Sequence, residues 1–110
     1  KDSRFIAVCE GELDTVAANT IAGIPAVGIN GANKWKPHYQ YLFEGYDEVI
    51  VLHDGDDGGR KLADTVTSAL YNSRAVPLPD GEDVNSFLLE HGAKALRERA
   101  GLGEPGILLD

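Results

Sequence analysis

Apolar runs alternate with amphipathic stretches along the whole chain. Arg4–Cys9 (RFIAVC), Pro25–Ile29 (PAVGI), Glu48–His53 (EVIVLH) and Arg74–Leu78 (RAVPL) are short apolar runs separated by turn formers, which predicts four strands. Pro77 assigns the fourth to a sheet edge, because proline cannot donate to a ladder. Helical spacing fills the intervals. Over Glu12–Ala22 it gathers Leu13, Val16, Ala17 and Ile21 on one face, so these four are expected inside, with Gly23 just past the end. A polar loop, Asn30–Lys36, precedes a helix that opens at Pro37 and runs through Tyr41, Leu42 and Phe43. Gly58–Tyr71 turns Leu62, Val66, Ala69 and Leu70 inward. Asp83 is placed to cap a helix carrying Val84, Phe87 and Leu88. Gly92 ends that helix, and Ala93–Ala100 forms another, with Lys94 and Glu98 as an exposed pair.

Strands alternating with helices predict an α/β fold, a mostly parallel four-stranded sheet with helices on both faces. With strands 1 and 3 as neighbours the order is 2-1-3-4, and the topological switch point falls between the turns that follow them. Connectivity alone therefore gathers Glu10, Asp14, Asp54 and Asp56 around one crevice at the carboxyl edge.

The length of 110 residues suits a single domain with its own core. No apolar run approaches membrane-spanning length. A lone cysteine excludes an internal disulfide and a cysteine-rich zinc site, and Cys9, inside an apolar strand, reads as a core thiol in a cytosolic protein. The chain starts at Lys1 and contains no methionine, which suggests a domain excised from a longer chain. The closing Ile107-Leu108-Leu109 is expected to pair with the core or lead into a neighbour. Net charge is -8, and residues 39–110 hold fourteen acidic against six basic side chains. Such a surface repels phosphates, so a nucleic-acid role needs metal ions or a basic neighbour.

Acids concentrate at the turns. Val49-Ile50-Val51-Leu52 ends in Asp54-Gly55-Asp56-Asp57-Gly58-Gly59-Arg60, with two aspartates spaced i, i+2 and glycines that allow a sharp turn into a helix. Glu10 closes strand 1 just before Gly11, and Asp14 follows in the first helical turn, where the helix dipole alone is enough to favour an acid. Clustered carboxylates raise one another's pKa, and a divalent cation relieves that cost. Oxygen ligands suit Mg²⁺ or Mn²⁺, which complete their shells with water and substrate phosphates. Glu10 could instead serve as a general acid or base.

EGELD at Glu10–Asp14 followed by DGDDGG at Asp54–Gly59 resembles the Toprim domain, the metal-binding catalytic domain of replicative primases, topoisomerases, small nucleases and some recombination proteins. The similarity spans residues 4–100. DGDDGGRKLA, with Gly59-Arg60, resembles the primase form, and LPDGEDVNSFLLEHG (residues 78–92) resembles the primase segment supplying a further acid. Bacterial primases usually have Asp-Pro-Asp where this chain has Asp83-Val84-Asn85, and Asn85 in the last position favours a phage-type primase or primase-helicase. The resemblance implies a three-layer, Rossmann-like Toprim fold. It implies Glu10, Asp54 and Asp56 as catalytic residues, all three at the metal, with Asp14 and Asp83 as supporting or second-metal carboxylates. The implied reaction is DNA-templated joining of ribonucleotides into an RNA primer with Mg²⁺ or Mn²⁺. The implied partners are single-stranded DNA, NTPs, basic and zinc-binding primase domains, and a replicative helicase. Another Toprim enzyme, a nuclease or topoisomerase, or a non-catalytic DNA-binding module remains the alternative. A phosphoacceptor receiver domain is rejected, because the loop after strand 4 offers Asp80, Glu82 and Asp83 but no lysine.

Three cations are candidate phosphate contacts. Arg60 matches the primase motif; Lys34 and Lys36 flank Trp35. Such a basic and aromatic patch suits single-stranded nucleic acid, although Trp35 is expected to pack on its own helix. His53 alternates away from Asp54 and is expected in the core rather than on a hard metal.

Overall fold

The computed structural model describes residues 4–103; the Ile107-Leu108-Leu109 run lies outside them. The elements run β1 (Phe5–Cys9), α1 (Glu12–Thr20), β2 (Ala26–Gly28), a 3₁₀ turn (Ala32–Lys34), α2 (Tyr39–Phe43), β3 (Glu48–His53), α3 (Asp57–Ala69), β4 (Ser73–Pro77) and α4 (Val84–Arg99). The sheet order is β2-β1-β3-β4, as the sequence predicts. All three pairings are parallel, and β4 with Pro77 is an edge.

Both faces of the sheet are covered, which is why β1 and the Val49–Leu52 run of β3 are apolar. Ala7, Cys9, Ile50 and Leu52 point to one side, into a core shared with Ala17 and Ala18 of α1 and Val84, Phe87 and Leu88 of α4. Ile6, Val8, Val49 and Val51 point to the other, against Phe43 of α2 and Leu62, Ala63 and Val66 of α3. Each strand thus divides its side chains between two layers at period two.

Two inward faces differ from the sequence expectation. On α1, Leu13, Val16 and Ile21 are exposed, while Asp14, Ala17 and Ala18 are buried. Small side chains let α1 lie close to α4 and the sheet, and the larger ones turn to solvent. On α3, Ala69 is exposed and Ala63 takes its place inside, because the helix ends at Ala69 and Leu70 follows in extended conformation. Helix α2 starts at Tyr39; Pro37 lies in the preceding turn, its carbonyl accepting from Gln40 N at 3.4 Å. Gly23 (φ 67°) stands just beyond α1 as expected, and Gly92 (φ 88°) breaks α4 into two helical halves. Arg97, buried in the second half, donates to the carbonyls of Ala22 and Gly23 at 3.1 and 3.0 Å and so ties α4 to the end of α1. Trp35 stacks on Phe43 with centroids 6.0 Å apart and meets Tyr39 edge-on, as expected of a residue packing on its own helix.

Candidate metal centre

Strands β1 and β3 lie side by side at the middle of the sheet, so the turns that follow them open at one edge. The backbone of the second turn leaves no room for side chains at two positions. A Cβ on Gly59 would sit 2.1 Å from the Asp54 carbonyl oxygen, and one on Gly55 would sit 2.1 Å from that of Pro79. These glycines let the chain fold back tightly enough to aim Asp54 and Asp56 at the edge. Asp56 is also the N-cap of α3, its Oδ1 accepting from Gly59 N at 2.7 Å. Capping therefore accounts for one oxygen of Asp56, and a carboxylate has two.

Glu10, Asp54 and Asp56 each offer an oxygen, and the three atoms lie within 4.8 Å of one another. Asp54 Oδ1 is sealed from solvent and has no hydrogen-bond partner among the described residues. A buried, unpaired acceptor is costly, on the order of 1–3 kcal/mol, and calls for an explanation. Burial, then a carboxyl–carboxyl hydrogen bond with Glu10 and the charge of that residue, then Asp14 and Asp56, push the Asp54 carboxyl up to about 8. Gly58 lies against two of these acids: a Cβ there would stand at ordinary contact distance, 3.6 Å, from both Asp56 Oδ1 and Glu10 Oε2. An all-oxygen donor set with an orphaned, buried carboxylate oxygen fits a hard divalent cation.

The cleft around these acids measures about 630 Å³, and Asp14, Asp83 and Asn30 also line it. Asp14 is buried, its Oδ1 accepting from Asn85 N at 3.0 Å; burial foremost raises its pKa, against the lowering effect of that amide. Asp83 caps α4 in a capping box, accepting from Ser86 N at 2.7 Å while Ser86 Oγ accepts from Asp83 N at 3.0 Å. Both acids line the crevice, Asp14 as the connectivity predicts, but each spends an oxygen on α4. The cations do not line it. Arg60 pairs with Asp57 at 2.7 Å on the surface, and Lys34 borders a separate apolar groove of about 450 Å³ beside β2. Lys36 is exposed in the loop before α2. Sequence reasoning missed Asn30 and Gly58 as lining residues. Asn30 carried a signal, since it follows β2 at the same edge of the sheet.

His53 is buried as expected, its Nδ1 3.1 Å from the Asp54 carbonyl oxygen. Burial, then Asp14 and Asp54, push the Cys9 thiol up to about 12, which makes it an inert core residue.

Residues 7–88 match the model of the Toprim-like family. The chain belongs to that family. It is 48% identical over 97 residues to the Gene 57 protein of Mycobacterium phage D29, covering 88% of this chain and 63% of that one. It is 32% identical over 99 residues to the DNA primase of Escherichia coli K12, covering 84% of this chain but 17% of the primase. The Toprim chain thus spans only part of each relative's length. Among solved structures, the primase fragment of the bacteriophage T7 primase-helicase aligns with a TM-score of 0.76 at 25% identity, over 87% of this chain and 43% of the other. The RNA polymerase domain of Mycobacterium tuberculosis primase aligns with a TM-score of 0.69 at 28% identity, over 88% and 35%. The Toprim resemblance and the fold read from the sequence both stand, and the similarity supports a primase-related role. Among the described residues, no helix is long and apolar enough to cross a membrane.

Proposed function

We propose that this Toprim domain is the metal-dependent nucleotidyl-transfer centre of a primase of phage type, joining ribonucleotides on a single-stranded DNA template into an RNA primer. The observation that carries the reading is the Glu10, Asp54 and Asp56 triad with its orphaned Asp54 oxygen. Those three residues would hold Mg²⁺ or Mn²⁺, and Asp14 and Asp83 line the same cleft. The ion supplies electrostatic stabilisation of the phosphoryl oxygens when bound. Asp54 and Asp56, fixed by the two glycines of their turn, present oxygen ligands without further rearrangement. Glu10, half-buried across from them, is the carboxylate available to accept the proton of an attacking hydroxyl.

The partners follow from charge. At net -8 the chain holds little basic surface for a template, so basic and zinc-binding segments like those of longer primases, and a replicative helicase, complete the cytoplasmic assembly. Arg60, Lys34 and Lys36 are the phosphate contacts this chain can add. Isolated, it makes little or no primer.

The first test is calorimetric titration of Mn²⁺ into the wild type and into Asp54→Asn/Asp56→Asn. Saturable binding lost in the double variant supports the centre; equal binding in both removes it. The second exchanges this chain for the Toprim segment of a phage primase. Primer synthesis by the chimera, abolished by Asp54→Asn, supports the reaction, whereas DNA cleavage without ribonucleotide incorporation would replace it with a nuclease.

A further inference from the structure

We propose that Asp14 is a positioning residue: a carboxylate from α1 that caps α4 in trans and thereby braces the two turns of the acidic cleft against each other. This rests on the metal reading of Glu10, Asp54 and Asp56, and it assigns Asp14 a task other than ligation.

The first turn of a helix leaves N–H groups without intrahelical partners. Asp83, the N-cap of α4, satisfies Ser86 N at 2.7 Å. Asn85 N is satisfied instead by Asp14 Oδ1 at 3.0 Å, from a residue 71 positions earlier. Asp14 is 5% exposed, and its helix buries small residues on the same side, so α1 is oriented to deliver this carboxylate. Asp14 also lies outside the close triad of carboxylate oxygens.

The segment that opens α4 is bonded to the other turn as well. Gly55 N donates to the Glu82 carbonyl at 2.9 Å, and Gly81 N donates to the Gly55 carbonyl at 2.9 Å. The absence of a Cβ on Gly55 is what allows that contact, since Pro79 O occupies the space. Residues 79–85 therefore hold the Asp54–Asp56 turn at one end and α1, four residues beyond Glu10, at the other. Removing the Asp14 carboxylate cuts the tie between α1 and residues 79–85 and leaves the two sides of the cleft joined through the β1–β3 pairing. Asparagine keeps an acceptor oxygen and drops the charge, so it separates bracing from ligation.

The experiment compares wild type, Asp14→Asn and Asp14→Ala by Mn²⁺ titration, thermal unfolding without metal, and amide hydrogen exchange at Asn85. Bracing predicts that Asp14→Ala exposes the Asn85 amide, lowers Tm by about 5 °C and weakens Mn²⁺ binding about tenfold or more. Asp14→Asn should keep the amide protected and Mn²⁺ affinity within about twofold. An Asp14→Asn protein that loses Mn²⁺ affinity while its Asn85 amide stays protected overturns the proposal in favour of a metal ligand. An Asn85 amide equally protected in all three overturns it outright. Should Asp14→Ala fail to fold, Asp14→Leu, which keeps the bulk and removes the acceptor, takes its place with the same expected and overturning outcomes. If the wild type binds no Mn²⁺, the metal reading fails, while exchange and Tm still test the cap.

Discussion

Helices α1 and α3 leave the same edge of the sheet, each behind a strand that delivers a site carboxylate, and each carries leucine, valine and alanine at helical spacing. Helix α3 buries Leu62, Ala63 and Val66 and is capped by its own Asp56. Helix α1 has a glycine N-cap with no side-chain bond, exposes Leu13 at 74% and Val16 at 56%, and buries Asp14. The apolar stripe sets the rotation of α3. In α1 a carboxylate and two alanines set it, against the pull of the larger side chains. Burying an acid is tolerated because an amide meets it, so the need to seat α4 outweighs the burial of a leucine.

The largest expected effect comes at the opening of α3. Gly59→Ala drives a Cβ into the Asp54 carbonyl, and urea unfolding should show a loss of about 3 kcal/mol or more. Next, Leu62→Ala should cost about 3 kcal/mol and Leu13→Ala within about 0.5 kcal/mol, although both leucines belong to helical stripes. Equal losses in chemical denaturation would break the contrast between the two helices. The third effect is pH-linked. The Asp54 carboxyl stands at about 8 in the folded, metal-free chain against an ordinary 3.8, so the folded state holds the extra proton between those values. Its contribution to stability is greatest below about pH 4, declines as pH rises toward about 8 and is flat above. Tm of the wild type minus that of Asp54→Asn should follow this fall, and saturating Mn²⁺ should remove it. At pH 7, Mn²⁺ binding should release about one proton, read by calorimetry in buffers of different ionisation enthalpy. The smallest is Asp83→Ala, which removes the cis cap of α4 for about 1 kcal/mol. Thermal unfolding compared with Asp14→Ala ranks the two caps.

Strand order, the crevice and the acids within it were legible because they depend on connectivity and on residue types with few other uses. Asp54-Gly55-Asp56 and Gly58-Gly59 announce a tight polar turn at a strand end, and a parallel order with β1 beside β3 brings Glu10 to it. The rotation of α1 was not legible. Leu13, Val16, Ala17 and Ile21 satisfy one helical face as well as Asp14, Ala17 and Ala18 satisfy another, and the contacts that favour the second, with the distant amide of Asn85 among them, do not show in the spacing. Ala69 differs for a simpler reason: α3 stops at that residue, which is exposed, and the extended Leu70 after it is buried instead. Asp14 and Asp83 were correctly sent to the cleft, but their bonds to α4 depend on backbone N–H groups, which a pattern of side chains does not display.

The all-parallel sheet bears on how the chain reaches its folded state. The central pairing joins Phe5 to Glu48 and Val8 to Val51, so no hairpin can seed it and a long loop must close first. Such topologies fold more slowly than helical bundles of the same length. Glu10 and Asp54 sit just past the ends of those two strands, so the slow closure is also the moment at which like charges meet. Divalent cations present during refolding should therefore quicken the approach to the native state to the extent that the acids already meet in the transition state. Stopped-flow refolding with and without Mn²⁺ would time the birth of the cleft.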